Sequence, residues 1–274
     1  MAQRPILIAS DLSPRNDRAV DRAIMLGRQL SLPVCLVHVR RPGSKDVDEI
    51  ERLEQAARNS LPDPAATVEI LLPSGSAPTE IGNVATERDA ALIACAVARF
   101  NGLNDYFTGT AVDHIIIEGK RPVLVIKQRP HEDYRRLLVA VDFSTHSAHA
   151  LRVAADMFPE AELTLLHAYH VAYEGFQKGK HLKGETLASR EQAMEEFLAN
   201  DELAGIKQRL RVHFSYGDIG SAIMNEIEAL DPDLVVVGTH GSGGVKRMVL
   251  GSVASSLLEW VARDMLVVPP ARQD

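Results

Sequence analysis

The chain contains two copies of one sequence pattern, and this repeat restricts its fold more than any other feature. RPILIASDLS at 4–13 resembles RRLLVAVDFS at 135–144, and the segment 107–127 resembles 249–269. The later pair is offset by 142 residues and the earlier pair by 131. A fixed period of this size indicates a duplicated structural unit. The second-strand segments CLVHV at 35–39 and TLLHA at 164–168 are offset by 129 residues, so the second copy carries about 13 extra residues between its second and third strands.

The boundary between the copies lies in the polar segment KQRPHEDYRR at 127–136, which separates two apolar strands and contains Pro130. We predict two domains, residues 1–130 and 131–274. The connection is short, so we expect the two copies to pack together.

Strand and helix patterns alternate within each copy. The strands of the second copy read RLLVAVD, ELTLLHAY, LRVHFSY, DLVVVGT and MLVVPP. Near-continuous apolar strands are typical of a parallel sheet that is covered on both faces. Helical patterns between them imply right-handed crossovers. We predict an α/β fold with two repeated doubly wound domains, each a five-stranded parallel sheet of order 3-2-1-4-5 with helices on both faces.

The extra residues of the second copy form a glycine- and lysine-rich segment at 170–184, ahead of a predicted helix ETLASREQAMEEFLAND at 185–201. We interpret 170–184 as a surface loop. The alternative is a lid or a partner-binding segment, because it follows the second strand at the carboxyl edge of the sheet.

Composition excludes several functional classes. The net charge of −7 argues against a nucleic-acid-binding surface. No apolar run reaches the roughly 18 residues that a membrane span needs. The N-terminal segment reaches acidic and turn residues too early for a signal peptide. We therefore expect a cytoplasmic protein without a nucleic-acid partner. Cys35 and Cys95 lie in apolar runs and are predicted to be buried thiols.

A glycine-rich segment, VVVGTHGSGGVKRMVLGSVA at 235–254, is the main candidate site. Glycine lets a ligand approach the backbone closely. A glycine-rich loop that leads into a helix offers free N–H groups and a partial positive charge, which suit phosphate. Lys246 and Arg247 add positive charge. The segment follows the fourth strand, where ligands bind in such sheets. The alternative is a flexible surface loop before an ordinary capped helix.

The spacing Gly238-x2-Gly241-x9-Gly251-Ser252 matches neither the P-loop nor the dinucleotide pattern. It resembles the nucleotide-binding signature of the universal stress protein family. Further features match that family: the Asp in LLVAVDFS, the second-strand LLHA, a glycine after the third strand and the closing strand LVVPP. The resemblance covers essentially the whole chain twice, as in a tandem-domain universal stress protein.

The resemblance implies a set of site residues in the second copy. Asp142 corresponds to the acid that borders the nucleotide, and the Ala168 backbone corresponds to the group that touches adenine. The phosphate and ribose cradle corresponds to Gly238, Gly241, Gly251, Ser252 and Val253. The implied ligand is ATP, with Mg²⁺ held through the phosphates. Asp142 has a second interpretation as a helix N-cap, although the following Ser144 could cap the helix instead.

The first copy departs from this pattern. Ala96 takes the place of Gly238, and Arg99 takes that of Gly241, while Asp11, Gly109 and Thr110 keep the pattern. A Cβ at both cradle positions narrows the approach, so we predict that the first copy does not bind ATP. The alternative is that Arg99 grips a phosphate with its guanidinium.

The sequence shows little catalytic equipment, since no nucleophile elbow or Ser-His-Asp order appears. We expect a regulatory stress-response protein with at most slow ATP hydrolysis. The alternative is a ligand- or protein-interaction module that acts without nucleotide turnover. His38 and His167 are predicted to be packed residues with satisfied hydrogen bonds. The fifth strands, PVLVIK and MLVVPP, are expected to pair into an intramolecular pseudo-dimer, with further homodimerisation as an open alternative.

Overall fold

The structure is a computed structural model that describes residues 3–43, 46–63, 66–96, 111–169, 179–239 and 250–271. The chain forms two compact units. The first comprises residues 1–133 with 248–250 and 262–269, and the second comprises 134–247, 251–261 and 270–274. The domain division between residues 130 and 131 stays a prediction.

The first unit is built on five parallel strands in the order β3-β2-β1-β4-β5. The strands are β1 (Ile6–Ala9), β2 (Val34–Val37), β3 (Val68–Leu71), β4 (Leu92–Ala96) and β5 (Val123–Ile126). The helices are α1 (Asp17–Leu30), α2 (Val47–Asn59), α3 (Ala77–Glu87) and α4 (Ala111–Gly119).

The second unit repeats this arrangement with four parallel strands in the order β8-β7-β6-β9. The strands are β6 (Arg136–Ala140), β7 (Glu162–Tyr169), β8 (Leu210–Tyr216) and β9 (Leu234–Gly238). The helices are α5 (Thr145–Met157), α6 (Gly179–Leu198), α7 (Ile219–Leu230) and α8 (Ser252–Trp260). The predicted α/β fold class with two repeated domains is confirmed, while the order of five strands in the second domain stays a prediction.

The last strand, β10 (Asp264–Val268), lies in the first unit. It pairs antiparallel with β5, and Leu266 faces Leu124 in the register. This is the edge-to-edge strand pair that the sequence led us to expect. The pairing covers the edge of β5, which would otherwise present open hydrogen-bonding groups.

Burial explains why these segments form a covered sheet. Every residue of β1 and of β10 is buried, as are the first four residues of β9, so both faces of these strands are packed. The helices bury one stripe each, as α1 does with Val20, Ala23 and Leu26. Within the described residues, no helix has the length and apolar character to cross a membrane.

The structure corrects the prediction of a surface loop at 170–184. Helix α6 begins at Gly179, so the expected loop at 170–184 is wrong from residue 179 onward, while 170–178 lie outside the described residues. Glycine is a weak helix former, but Leu, Lys and Glu around Gly184 favour helix. Packing of Met194 and Phe197, both buried, adds tertiary support that the local pattern does not show.

Both cysteines are buried and free, as predicted. Burial raises the pKa of Cys35 and of Cys95 to about 12. These thiols therefore stay protonated and behave as small apolar side chains.

Candidate functional site

The strand register places several of the predicted residues at one edge of the second unit. Ala140 faces Leu166, so Asp142 and Ala168 follow these partners by the same two residues. On the other side of β6, Val139 faces Val236, two residues before the end of β9 at Gly238. The carboxyl ends of parallel strands meet at one edge, which is where ligands bind in doubly wound sheets.

The start of helix α8 is tied to this edge. The Gly251 N–H donates to the Thr239 carbonyl oxygen at 2.8 Å. Thr239 directly follows β9 and is 5% exposed. This hydrogen bond brings Ser252 and Val253, the first two residues of the helix, next to the end of β9.

Helix α8 begins without a side-chain cap. Gly251 is its N-cap residue, with φ −60° and ψ 147°, and no side chain accepts from the first turn. The two other helices of this unit with described starts are capped, α5 by Ser144 and α7 by Asp218. The first N–H groups of a helix have no intrahelical acceptor and carry the positive end of its dipole. The edge therefore presents open donors that suit an anion.

Asp142 does not cap the helix that follows it. Its Oδ1 accepts from the Ser144 N–H at 3.1 Å and from the Ser144 hydroxyl at 2.5 Å. The Ser144 Oγ in turn accepts from the Ser147 N–H at 3.1 Å and caps α5. The capping interpretation of Asp142 is therefore wrong. The aspartate instead orients the serine that caps the helix.

His167 is packed beneath this edge. It is 8% exposed, and its Nδ1 lies 2.9 Å from the Val141 carbonyl oxygen. Phe143 stacks on its ring, with centroids 4.1 Å apart. Burial lowers the pKa of His167; the hydrogen bond to Val141 opposes this shift, and the positive charge of Arg190 adds to it. A neutral ring with Nδ1 donating to the carbonyl fits this environment.

The first copy has the same histidine arrangement and a different aspartate environment. His38 Nδ1 lies 3.0 Å from the Ser10 carbonyl oxygen. Both histidine predictions are confirmed. Asp11 Oδ1 accepts from the Ser13 N–H at 2.8 Å and from the side-chain amide of Asn16.

The comparisons with known proteins identify the family of this chain. The model of the universal stress protein family matches residues 3–127 and again 133–269. The chain belongs to the universal stress protein family. A universal stress protein of Mycolicibacterium smegmatis is 26% identical over 97% of both chains. A putative universal stress protein of Staphylococcus aureus is 28% identical over 49% of this chain and 84% of its own length.

The solved structures show the same fold. The crystal structure of a universal stress protein from Archaeoglobus fulgidus covers 99% of this chain and 100% of its own, with a TM-score of 0.68 and 18% identity. The family pattern and the fold therefore both extend over the two copies.

Several residues that the sequence analysis singled out lie outside the described residues. They are Gly241, Lys246 and Arg247 in the second copy and Arg99, Gly109 and Thr110 in the first. Ala96 is the last residue of β4, just as Gly238 is the last residue of β9, which supports the alignment of these two positions.

Two further residues at this edge were missed by the sequence reasoning. Thr239 accepts the hydrogen bond that fixes the start of α8, and Arg190 on α6 acts electrostatically on His167. A signal for Arg190 is present in the sequence, because Arg190, Met194 and Phe197 follow the spacing of one helix face. An arginine in line with two apolar residues is unusual on a buried stripe.

No group of three or more metal-ligating side chains occurs among the described residues. Such a site would need several converging His, Cys or carboxylate ligands. Asp142 follows β6 at the same edge of the sheet as the start of α8.

Proposed function

We propose that this universal stress protein binds an adenine nucleotide, with ATP as the preferred ligand, in its second copy and acts as a cytoplasmic stress-response regulator. One observation carries the proposal: the uncapped N-terminus of α8 lies at the same sheet edge as Asp142 and Ala168. In the other two helices of this unit with described starts, an N-cap side chain accepts a hydrogen bond from an N–H group of the first turn. No side chain does so in α8. An anionic ligand supplies the missing acceptors.

The proposed site residues contact different parts of the nucleotide. Phosphate oxygens accept from the N–H groups of Ser252 and Val253 at the positive end of α8. Glycine at 238 and 251 keeps side chains away from the ligand at the two ends of the loop. The base lies along the Ala168 backbone. Mg²⁺ is held through the phosphates and retains most of its waters.

Hydrolysis is expected to be slow because the polar groups at this edge are already engaged. Asp142 Oδ1 is bonded to Ser144, and His167 Nδ1 is bonded to the Val141 carbonyl oxygen. Phosphoryl transfer needs a group that positions the attacking water. In the described part of the site, we identify no side chain in such a position. The proposal is therefore a binding protein whose ligand controls its interactions.

Calorimetric titration with ATP, ADP and AMP tests the proposal. Gly251→Val places a branched side chain at the N-cap, and its φ of −60° tolerates a non-glycine residue, so the fold is expected to survive. We expect loss of ATP binding. Gly205→Val is the matched control, because a Cβ at Gly205 meets nothing within 4 Å. Unchanged ATP affinity in Gly251→Val would contradict the proposal.

A second candidate is a protein-interaction module that works without nucleotide. Trp260 is 70% exposed and Val253 is 40% exposed, and their seven-residue spacing puts them on one face of α8. Tryptophan is a residue type enriched at energetic centres of interfaces. The same titrations separate the two candidates, because this one predicts that none of the three nucleotides binds.

The first copy is proposed to lack a nucleotide site, so one ATP is expected per chain. Ala96 brings a Cβ to the position of Gly238. A titration stoichiometry near two would contradict this asymmetry.

A further inference from the structure

Arg190 occupies an unusual position on helix α6. It lies one turn before Met194 and two turns before Phe197, and both of these residues are buried, at 3% and 9% exposure. The three residues share one helix face because they are spaced by four and three positions. Arg190 is itself partly buried and lies on the same helix face as these two buried residues.

The Arg190 Nε is shielded from solvent and has no hydrogen-bond partner among the described residues. Arg209, another arginine of this unit, shows the ordinary arrangement. Its guanidinium donates to the carbonyl oxygens of Phe158 and Ala161 at 2.7 and 2.8 Å. No such acceptor, and no carboxylate among the described residues, pairs with Arg190.

The surroundings of Arg190 place it beside the candidate site. Phe197 of the same helix face contacts the Phe143 ring at 5.8 Å, and Phe143 stacks on His167. The charges of Arg190 and Asp142 both act on the His167 ring, with opposite effects on its pKa. Arg190 and Asp142 therefore both lie within electrostatic reach of the residue that precedes Ala168.

A buried N–H donor such as the Arg190 Nε costs free energy in the empty protein when it has no acceptor. Its planar fork of N–H donors fits phosphate oxygens especially well. Asp142, which acts on the same histidine ring, belongs to the candidate site. An anionic ligand at this site would supply the acceptor that the Arg190 Nε lacks among the described residues.

We infer that Arg190 is a ligand-binding residue of the second copy and that it donates to a phosphate oxygen of the bound ligand. This inference rests on the proposed nucleotide site and adds a contact from the crossover helix. The first copy has no counterpart, since the repeat offset of 142 residues aligns Arg190 with Asp48, an exposed acid at the start of α2.

Titration of Arg190→Met with ATP, adenosine and inorganic tripolyphosphate tests the inference. Methionine keeps the aliphatic bulk and removes the charge and the donors. Loss of a charged hydrogen bond predicts an ATP affinity roughly 10- to 100-fold weaker. Adenosine affinity should stay unchanged, because adenosine has no phosphate. Arg190→Lys keeps the charge without the fork and should show a smaller loss.

Arg211→Met is the matched control. It removes one positive charge from the same unit, at the start of β8, where Arg211 pairs with Glu162 in solvent. Its ATP affinity should equal that of the wild type. Thermal melting without ligand separates a structural role from a binding role. A structural arginine would lower the melting temperature when replaced, whereas an unpaired one should leave it unchanged or raise it.

Three results overturn the inference: an ATP affinity of Arg190→Met equal to wild type, an equal loss for adenosine, or a lower melting temperature without a change in affinity. Failure of the proposed function looks different, because the wild type would then bind no nucleotide. Tripolyphosphate binding that depends on Arg190 would support the anion contact even in that case. Absence of both nucleotide and tripolyphosphate binding to the wild type would overturn both proposals.

Discussion

The two copies have equivalent strands, but they differ in the segment that connects the first strand to the helix that follows it. Asp142 holds Ser144, and Ser144 caps α5 directly. In the first copy Ser13 caps nothing, and a 3-10 turn at Pro14–Asn16 precedes α1. The comparison teaches that the sheet tolerates different chemistry at its carboxyl edge, because the strand ladder does not depend on these side chains.

The fifth strands differ as well. β5 and β10 form one antiparallel pair, and they differ in the polar contacts at their ends. Asp264, at the start of β10, accepts from the N–H groups of Lys127 and Gln128 at 2.7 and 2.9 Å. It also forms a buried ion pair with Arg22 at 3.5 Å. The repeat offset puts Pro122 at the corresponding place in the first copy, so this carboxylate belongs to one copy alone.

The largest effect is expected from Asp264→Ala, which removes the asymmetry of the fifth strands. The carboxylate is 1% exposed, and its loss leaves the buried Arg22 without its counter-ion. Breaking a buried ion pair by removing one partner typically costs about 3–5 kcal/mol of unfolding free energy. Urea denaturation followed by circular dichroism measures this loss.

Asp231→Ala provides the control for that experiment. Asp231 pairs with Arg136 at 3.4 Å, but the side chains are 60% and 50% exposed. Exposed pairs contribute about 0–1 kcal/mol. Equal destabilisation by the two variants would show that Asp264 has no special role in holding β10.

A medium effect is expected from Ser144→Ala. It removes the N-cap of α5 and the hydroxyl bonded to Asp142, so we expect a loss of about 1 kcal/mol. Ser13→Ala, the same change in the first copy, should stay within about 0.5 kcal/mol because Ser13 caps no helix. Thermal unfolding of both variants checks this. Similar losses would mean that the two aspartate turns are energetically equivalent.

Much of the fold could be predicted because apolar strands carry their own signal. The patterns ELTLLHAY and LRVHFSY predicted β7 and β8 to the residue. β7 is buried at four of its eight positions and is marked by its apolar run, whereas β8 is at least partly exposed throughout and is marked by Val, Phe and Tyr and by Gly217 after its end. Because the pattern occurs twice in the chain, most strands could be predicted from two separate stretches of sequence.

The site was less predictable because its details depend on tertiary contacts. Asp142 and Ser144 are both good cap residues two positions apart, and local sequence does not decide between them. Phe143 lies between them, adopts a φ of 63° and stacks on His167, a residue that is distant from it in the sequence. The burial of Met194 and Phe197 and the partial burial of Arg190 on one face of α6 likewise depend on tertiary packing.

The smallest effect is expected from protonation of His167, and its sign follows from burial. An unfolded histidine titrates near pH 6.5, whereas burial lowers the pKa of His167 in the folded state. Below pH 6.5 the unfolded chain therefore binds this proton first, so stability falls as the pH drops toward the folded pKa, by at most about 1.4 kcal/mol per pH unit.

The variant His167→Asn keeps a donor for the Val141 carbonyl oxygen and removes the titrating ring. Burial also lowers the pKa of His149, so protonation of either histidine destabilises the wild type in the same pH range. His149 is present in both proteins, so the difference in unfolding free energy between wild type and variant reports on His167 alone. We expect the variant to lose less unfolding free energy than the wild type between pH 7 and pH 5.5, measured by urea denaturation at each pH. His38→Asn makes the same change in the first copy, where the ring bonds the Ser10 carbonyl oxygen. Parallel curves of unfolding free energy against pH for wild type and His167→Asn would show that the ring has the same pKa in the folded and the unfolded chain. That result would contradict our interpretation of His167 as a buried, neutral histidine beneath the proposed site.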